Sequence, residues 1–235
     1  MDSVVFSVEK FFDLSSFEHR AVFDGCSTVW QVLEHLKEYL FKQSLGAIQA
    51  ACPEGVVLEH PELISIGEGT VVESGAYIRG PCIIGRNCEI RHGAYIRGNV
   101  LVGDKCVVGH TTELKHSILL NHAKAAHFAF VGDSVLGNDV NLGAGVKCAN
   151  LRLDGASIVI RCGKERTPTG LRKFGAIIGD GCQIGCNVVT NPGTLVGKNV
   201  RCCPTVNIGG VIASDSHVRL PAQPLVKERV STTPP

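Results

Sequence analysis

The chain of 235 residues carries almost no net charge, about +1 with histidine neutral, so it offers no electrostatic footprint for nucleic acid or a membrane surface. No apolar run is long enough to cross a bilayer, and the N-terminus, MDSVVFSVEKFF, lacks the basic start and apolar stretch of a secretory signal. The cytoplasm is the expected compartment. There is no CxxC pair. The eleven cysteines are odd in number, and Cys202 and Cys203 are adjacent, which suits neither paired zinc ligands nor an ordinary disulfide. Reduced, mostly buried thiols acting as small hydrophobes are expected instead. The N-terminal stretch, Met1 to His60, holds no glycine-rich nucleotide loop and is too short for a Rossmann-like domain.

What is present is ample apolar material, 44% of residues, and 27 glycines that recur at fixed intervals. Ser27 to Ser44, STVWQVLEHLKEYLFKQS, sets Val29, Trp30, Val32, Leu33, Leu36, Tyr39 and Leu40 on one stripe at helical spacing. Ser27 or Thr28 is the expected N-cap and Gly46 the expected stop. Glu54 to Glu62 is polar and proline-containing and reads as a connector.

From Ile66 a period of six takes over: Ile66, Val72, Ile78, Ile84, Ile90, Ile96, Val102, Val108, Leu114 and Leu120. Small or modest residues sit four places later, at Thr70, Ala76, Cys82, Cys88, Ala94, Val100, Cys106 and Thr112. The register breaks after Leu120, returns as Phe130, Leu136, Leu142 and Cys148, breaks again, and resumes at Ile178, Ile184, Val196, Cys202 and Ile208. Six is neither a helical nor a strand period. It fits a parallel β-helix in which three short strands, one for each step of six, make up a coil. A β-sandwich would need longer strands and no fixed six-step. The hexamer GAYIRG, at Gly75–Gly80 and again at Gly93–Gly98, then occupies two stacked coils, with Tyr77 over Tyr95 and Arg79 over Arg97. Cys88 over Cys106 becomes an interior ladder. Residues 1–60 are expected to be a helical segment and connector, 61–220 the β-helix with loops at 120–130 and 155–175, and 221–235 a tail.

The [LIV]-G-x-x-x-x rhythm resembles the hexapeptide-repeat acyltransferase superfamily. That resemblance implies an all-β fold, a left-handed parallel β-helix with a short helical N-terminal segment. It also implies a homotrimer with active sites between subunits. A closer likeness lies in GHTTELKHSILLNHAKAAHFAFVGDSVLGNDVNLGAGVKCAN, which is similar to the acetyltransferase half of bifunctional glucosamine-1-phosphate acetyltransferase and N-acetylglucosamine-1-phosphate uridylyltransferases. It is equally similar to archaeal sugar-phosphate nucleotidyltransferases with a C-terminal acetyltransferase domain. The likeness covers about Gly67 to Ile212.

This resemblance implies roles residue by residue. His127 matches the catalytic histidine. Arg97 and Lys115 match cations that hold a sugar 1-phosphate, and Asn141 and Asn150 match side chains around the amino sugar. Lys173 matches a lysine just before the next coil. Ala144 and Cys186 match positions lining the acetyl-CoA site. The residue types suit the chemistry. An amine attacking a thioester must lose a proton, which a neutral imidazole accepts near pH 7. A backbone N–H beside Gly143-Ala144-Gly145 would serve the oxyanion. Arginine and lysine suit the phosphate. Acetyl-CoA is the implied co-substrate, and acyl transfer to an amine requires no metal.

The expected activity is therefore N-acetylation of an amino-sugar 1-phosphate, glucosamine 1-phosphate foremost, as a precursor step for UDP-N-acetylglucosamine and the cell envelope. Two other readings stand beside it: acylation of a nucleotide-linked amino sugar, and a non-catalytic oligomerising scaffold. Phe130 stands where the family often has tyrosine, and a uridylyltransferase half has no counterpart in these residues. His110, His116 and His122 recur every six residues, and His92 and His110 lie three such steps apart. Histidines from neighbouring subunits bind zinc in hexapeptide-type carbonic anhydrases, but little else here resembles that family. The basic stretch from Ser157 to Gly175 could cover a phosphate or an acyl carrier, or simply be solvated.

Overall fold

The computed structural model describes residues 6–220; the expected tail at 221–235 lies outside them. Among the described residues, three parallel sheets of eight strands each form the three faces of a β-helix, and the chain visits them in rotation. The first face begins at Val57–Glu59 and Tyr77–Arg79, the second at Ile64–Ile66 and Cys82–Ile84, and the third at Val71–Val72 and Glu89–Ile90. The six-residue period is the distance from one face to the next. The inward residue of each strand is aliphatic, and Ile66, Val72, Ile78, Ile84, Ile90 and Ile96 are all buried in one continuous core. The small residues four places on fill the same interior, Cys82, Cys88 and Cys106 among them. All eleven cysteines are free. Burial pushes the thiols of Cys148 and Cys182 up to about 11 and that of Cys82 higher still, so they remain protonated and inert.

The coil is not uniform. Ile64 pairs with Cys82 and Cys82 with Val100, three steps of six each time. Val102 instead pairs with Leu119, and Leu114 with Val131, so these coils are one residue shorter. Leu119, not Leu120, therefore points inward, and Val131, not Phe130, continues the ladder. Leu120 is buried on the outside of the second face instead. The stretch at 120–130, expected as a loop, holds a regular third-face strand, Lys124–His127. Val57–Glu59, read from sequence as connector, already pairs with Tyr77–Arg79, and Ile48 bridges to Ile66. The large insertion lies between Cys148 and Ala176. It carries an antiparallel hairpin, Val159–Cys162 with Glu165–Pro168.

The N-terminal segment is a layer laid along the second face, not a cap on the coil end. Among the described residues, the single-turn 3₁₀ helices Val8–Lys10, Arg20–Phe23 and Val29–Gln31 lead to an α-helix, Val32–Phe41, shorter at both ends than the stripe suggested. The Gln31 carboxamide oxygen accepts the N–H groups of Ser27 and Thr28, which holds the chain at the helix entry. Phe12, Phe17, Phe23, Trp30, Leu36 and Leu40 pack against the outward Ile83, Leu101, Ile118, Val135, Ile177 and Leu195 of that face. Ile158, Ile160 and Phe174 of the insertion complete this second core. Polar ties fix the layer. The Asp180 carboxylate accepts the N–H groups of Asp13 and Asn138, and the imidazole Nε2 of His116 meets the Leu33 carbonyl at 2.7 Å.

Candidate active site

The corner between the third and first faces carries a column of chemistry. His127, at the end of Lys124–His127, is the register partner of His110. The Gly145 N–H donates to the His127 carbonyl, and the Asn187 N–H donates to the Ala144 carbonyl. His127, Ala144 and Cys186 thus occupy successive rungs, each about 4.8 Å from the next. Gly109 makes room for this stacking, because a Cβ there would run into the backbone carbonyl of Ala126, just before His127. His92 and His110 lie on the preceding rungs with rings stacked 5.8 Å apart and 17° from parallel. The Nδ1 of His92 meets the Ser74 carbonyl and that of His110 meets the His92 carbonyl, so each imidazole is anchored to the rung before it. Phe128 follows His127 with positive φ, exposed, its ring edge-on to His110. His116 and His122, six and twelve residues after His110, lie away from this corner. The first is half-buried against the helix, and the second pairs with Asp139.

Beside the column runs a groove of about 510 Å³ on the third face, lined by Asn141, Gly143, Cys186, Cys203, Pro204 and His217 among others. Asn141 therefore sits with Cys186 rather than with Asn150. The other sequence-derived residues gather at the far edge of the first face. Lys115 places its ammonium on both oxygens of Asp133, at 3.2 and 2.9 Å, and Asn150 Nδ2 reaches the same carboxylate. Asp133 is 7% exposed and Lys115 25%. Lys173 is exposed and immediately precedes Phe174, whose N–H donates to the Asn150 carbonyl. Arg97 lies one rung from Lys115 and is held by Glu113 at 2.7 Å; that hydrogen bond raises the guanidinium's pKa. Arg79 is likewise held, by Glu59. Each GAYIRG arginine is thus paired with a carboxylate of an adjacent coil, Arg79 with its register partner on the coil before and Arg97 with the register partner of Tyr95 on the coil after.

Phe130 lies on the first face between the two edges. A Cβ on Gly132 would stand 2.6 Å from Phe130 Cζ and 2.8 Å from Asn150 Nδ2, so the position from which a tyrosine hydroxyl would extend abuts the Asp133 cluster. Sequence reasoning missed Asp133, although it is part of the quoted VGDS string, and missed that His92 and His110 lie in line with His127. The shortened coil hid that alignment. Among the described residues no group of three or more histidine, cysteine or acidic side chains is placed to hold a metal ion.

A parallel coil of three short strands with its chemistry gathered on corners defines the class: a hexapeptide-repeat β-helix. The family model for the GMPPB C-terminal domain matches residues 78–163. A bifunctional sugar-1-phosphate nucleotidylyltransferase/acetyltransferase from Sulfurisphaera tokodaii is 38% identical over 99 residues, which make up 42% of this chain and 24% of that protein. The bifunctional protein GlmU of Methanococcus aeolicus is 33% identical over 113 residues, 48% of this chain and 27% of that one. The chain thus matches about a quarter of the length of these two relatives. YaiX of Escherichia coli, an uncharacterized acetyltransferase, is 31% identical over 173 residues, 74% of this chain and 75% of its own length. The chain belongs to the hexapeptide-repeat acyltransferase family.

Proposed function

We propose that the protein is an acetyl-CoA-dependent N-acetyltransferase acting on an amino-sugar 1-phosphate, with glucosamine 1-phosphate the foremost acceptor, and that it works as a homotrimer in the cytoplasm. The observation that carries this reading is the alignment of His127 with Ala144 and Cys186 on one corner, beside the groove and at the edge of a face whose other edge holds Lys115, Asp133 and Asn150. A substrate lying across the first face would meet the imidazole at one end and the polar cluster at the other.

The chemistry follows. His127 takes the proton as the sugar amine attacks the thioester carbonyl, and the amide forms as the thiol leaves. In the Gly143-Ala144-Gly145 turn, the Gly143 N–H is committed to the Ile184 carbonyl and the Gly145 N–H to that of His127. The Ala144 N–H has no protein acceptor among the described residues, so it is the assigned oxyanion donor. Lys115 spends two contacts on Asp133 and retains a third donor for phosphate, and Arg97 keeps guanidinium N–H groups beyond the one given to Glu113. Acetyl-CoA would lie along the groove, with Cys186 and Asn141 on its wall.

The test is release of free CoA by the purified protein supplied with acetyl-CoA and either glucosamine 1-phosphate or other amino sugars, including nucleotide-linked ones. Wild type releases CoA with the sugar 1-phosphate, and His127→Ala lowers the rate by roughly 100-fold or more, the scale of a lost general base. Undiminished activity in that variant removes His127 from the role. No turnover with any amino sugar leaves the chain a non-catalytic scaffold.

A further inference from the structure

We propose that the inserted hairpin and the last coils form a second anion site, which takes the phosphate group of a phosphorylated small molecule. It lies away from the His127 corner. The cleft measures about 540 Å³ and is lined by Arg152, Val159 and Arg161 on the insertion and by Asn191, Gly193, Gly209 and Gly210 on the coil, among others. Three independent features point to an anion.

First, the hairpin register sets Arg161 directly opposite Arg166. Directly opposed residues of an antiparallel pair share a face, and like charges there repel. Val159 and Arg161 line the cleft, so this is the face turned to it, while Ile160 is buried in the second core. Second, the charge is uncompensated among the described residues: neither Arg161 nor Arg166 forms an ion pair, in contrast with Arg79, Arg86, Arg91, Arg97 and Lys115, each of which holds a carboxylate. Arg152 is anchored by Asp154, which orients its guanidinium at the rim. Third, the opposite wall offers backbone donors. The N–H groups of Gly209 and Gly210 have no protein acceptor among the described residues, and Gly210 has φ of +75°. Consecutive free N–H groups at such a turn make an anion-binding concavity. Arg161 on the cleft wall, Arg166 beside it on the same hairpin face, and two amides without an acceptor among the described residues together suit a phosphate group, and the repulsion between the arginines is relieved when one binds.

The phosphate could belong to the coenzyme or to the acceptor; assigning it to either rests on the proposed function, but the site itself does not. The primary probe is therefore inorganic pyrophosphate, titrated calorimetrically into wild type and the Arg161→Gln/Arg166→Gln double variant, with Arg91→Gln as a control for general basicity. Both hairpin arginines are on an exposed ribbon, and circular dichroism checks that the double variant is folded. The expected result is binding by wild type and by the control, with at least tenfold weaker binding by the double variant and partial retention in Arg161→Lys. Absence of binding by wild type, or equal affinity in wild type and double variant, overturns the site. Competition of bound pyrophosphate by CoA, dephospho-CoA and glucosamine 1-phosphate then distinguishes the sources. Displacement by CoA alone among these three assigns the 3′-phosphate of the coenzyme, and displacement by the sugar phosphate alone assigns the acceptor. A protein that binds pyrophosphate through Arg161 but turns over no amino sugar keeps this site and loses the proposed activity.

Discussion

The second and third faces have the same strand geometry and the same inward ladder, yet opposite exteriors. Six of the eight outward positions on the second face, Ile83, Leu101, Ile118, Val135, Ile177 and Leu195, are buried under the N-terminal layer, and the end positions Ser65 and Val211 are half-buried. On the third face the outward positions read Val71, Glu89, Val107, Lys124, Asn141, Gln183 and Arg201, mostly half-buried or exposed. The period of six specifies the coil, and the residue one step off the inward position specifies what the coil touches. The covered face is spent within the chain. The first and third faces and their edges are what remains for small molecules or a second subunit, and the candidate base stands at the corner the two share.

The largest expected effect breaks this comparison at equivalent positions. Leu101 is fully buried under the helical layer and Val71 is 58% exposed, although both are outward residues of a coil strand. Leu101→Ala should cost about 3 kcal/mol, the usual loss for a buried leucine whose neighbours relax only in part. Val71→Ala should stay within about 0.5 kcal/mol. Both are read from urea unfolding midpoints. Equal losses would mean that the layer does not protect the second face in solution.

How much of this was legible follows from the same two faces. The step of six declares the coil and its interior, and the stacking of Tyr77 on Tyr95 came straight from the repeated hexamer. The apolar triplets Cys82-Ile83-Ile84 and Val100-Leu101-Val102 also marked a face buried on both sides, which is how continuous apolar strands arise. The amphipathic stripe and its target were thus both visible, but not their pairing. The shorter coils were hidden because Leu119 and Leu120 are both apolar, as are Phe130 and Val131, so pattern alone accepts either register. That one-residue slip concealed the column shared by His92, His110 and His127. The role of Asp133 was concealed for the same reason, since its partners Lys115 and Asn150 come from neighbouring coils. His127 itself was legible only through the surrounding string, because an exposed corner histidine has no periodic signature.

A second effect sharpens the comparison at the junction of layer and coil. Asp180 is the carboxylate on which the two meet. It accepts the Asp13 N–H at 2.7 Å and the Asn138 N–H at 2.8 Å, while its own N–H donates to the Phe11 carbonyl. Burial raises its pKa against the hydrogen bonds that lower it. Asp180→Ala strands two backbone donors at a partly buried site and should cost about 2 kcal/mol. Asp180→Asn, which keeps an acceptor oxygen, should cost less. The order of the two melting temperatures checks it; equal loss in both would place the weight on the charge and its Lys198 partner.

The smallest effect is a dependence on pH, and it too separates the covered face from the open ones. His116 and His19 lie between layer and coil. The first has Nε2 on the Leu33 carbonyl, and the second has Nδ1 on the Tyr39 hydroxyl at 3.0 Å. Burial lowers the pKa of both, outweighing Asp133 near His116, and Glu18 and Asp104 near His19. Lys115 and Lys37 push His116 the same way as burial. Each folded-state pKa therefore lies below the unfolded value of 6.5. As pH falls through 6.5 the unfolded chain takes up protons that the folded chain refuses, so stability declines until the folded pKa is passed. The melting temperature should fall between about pH 7 and pH 5.5, before ordinary carboxylates titrate appreciably. The slope should shrink in His116→Gln and His19→Gln. A slope that persists undiminished in both layer variants would place the titrating groups elsewhere and remove the layer from the pH response.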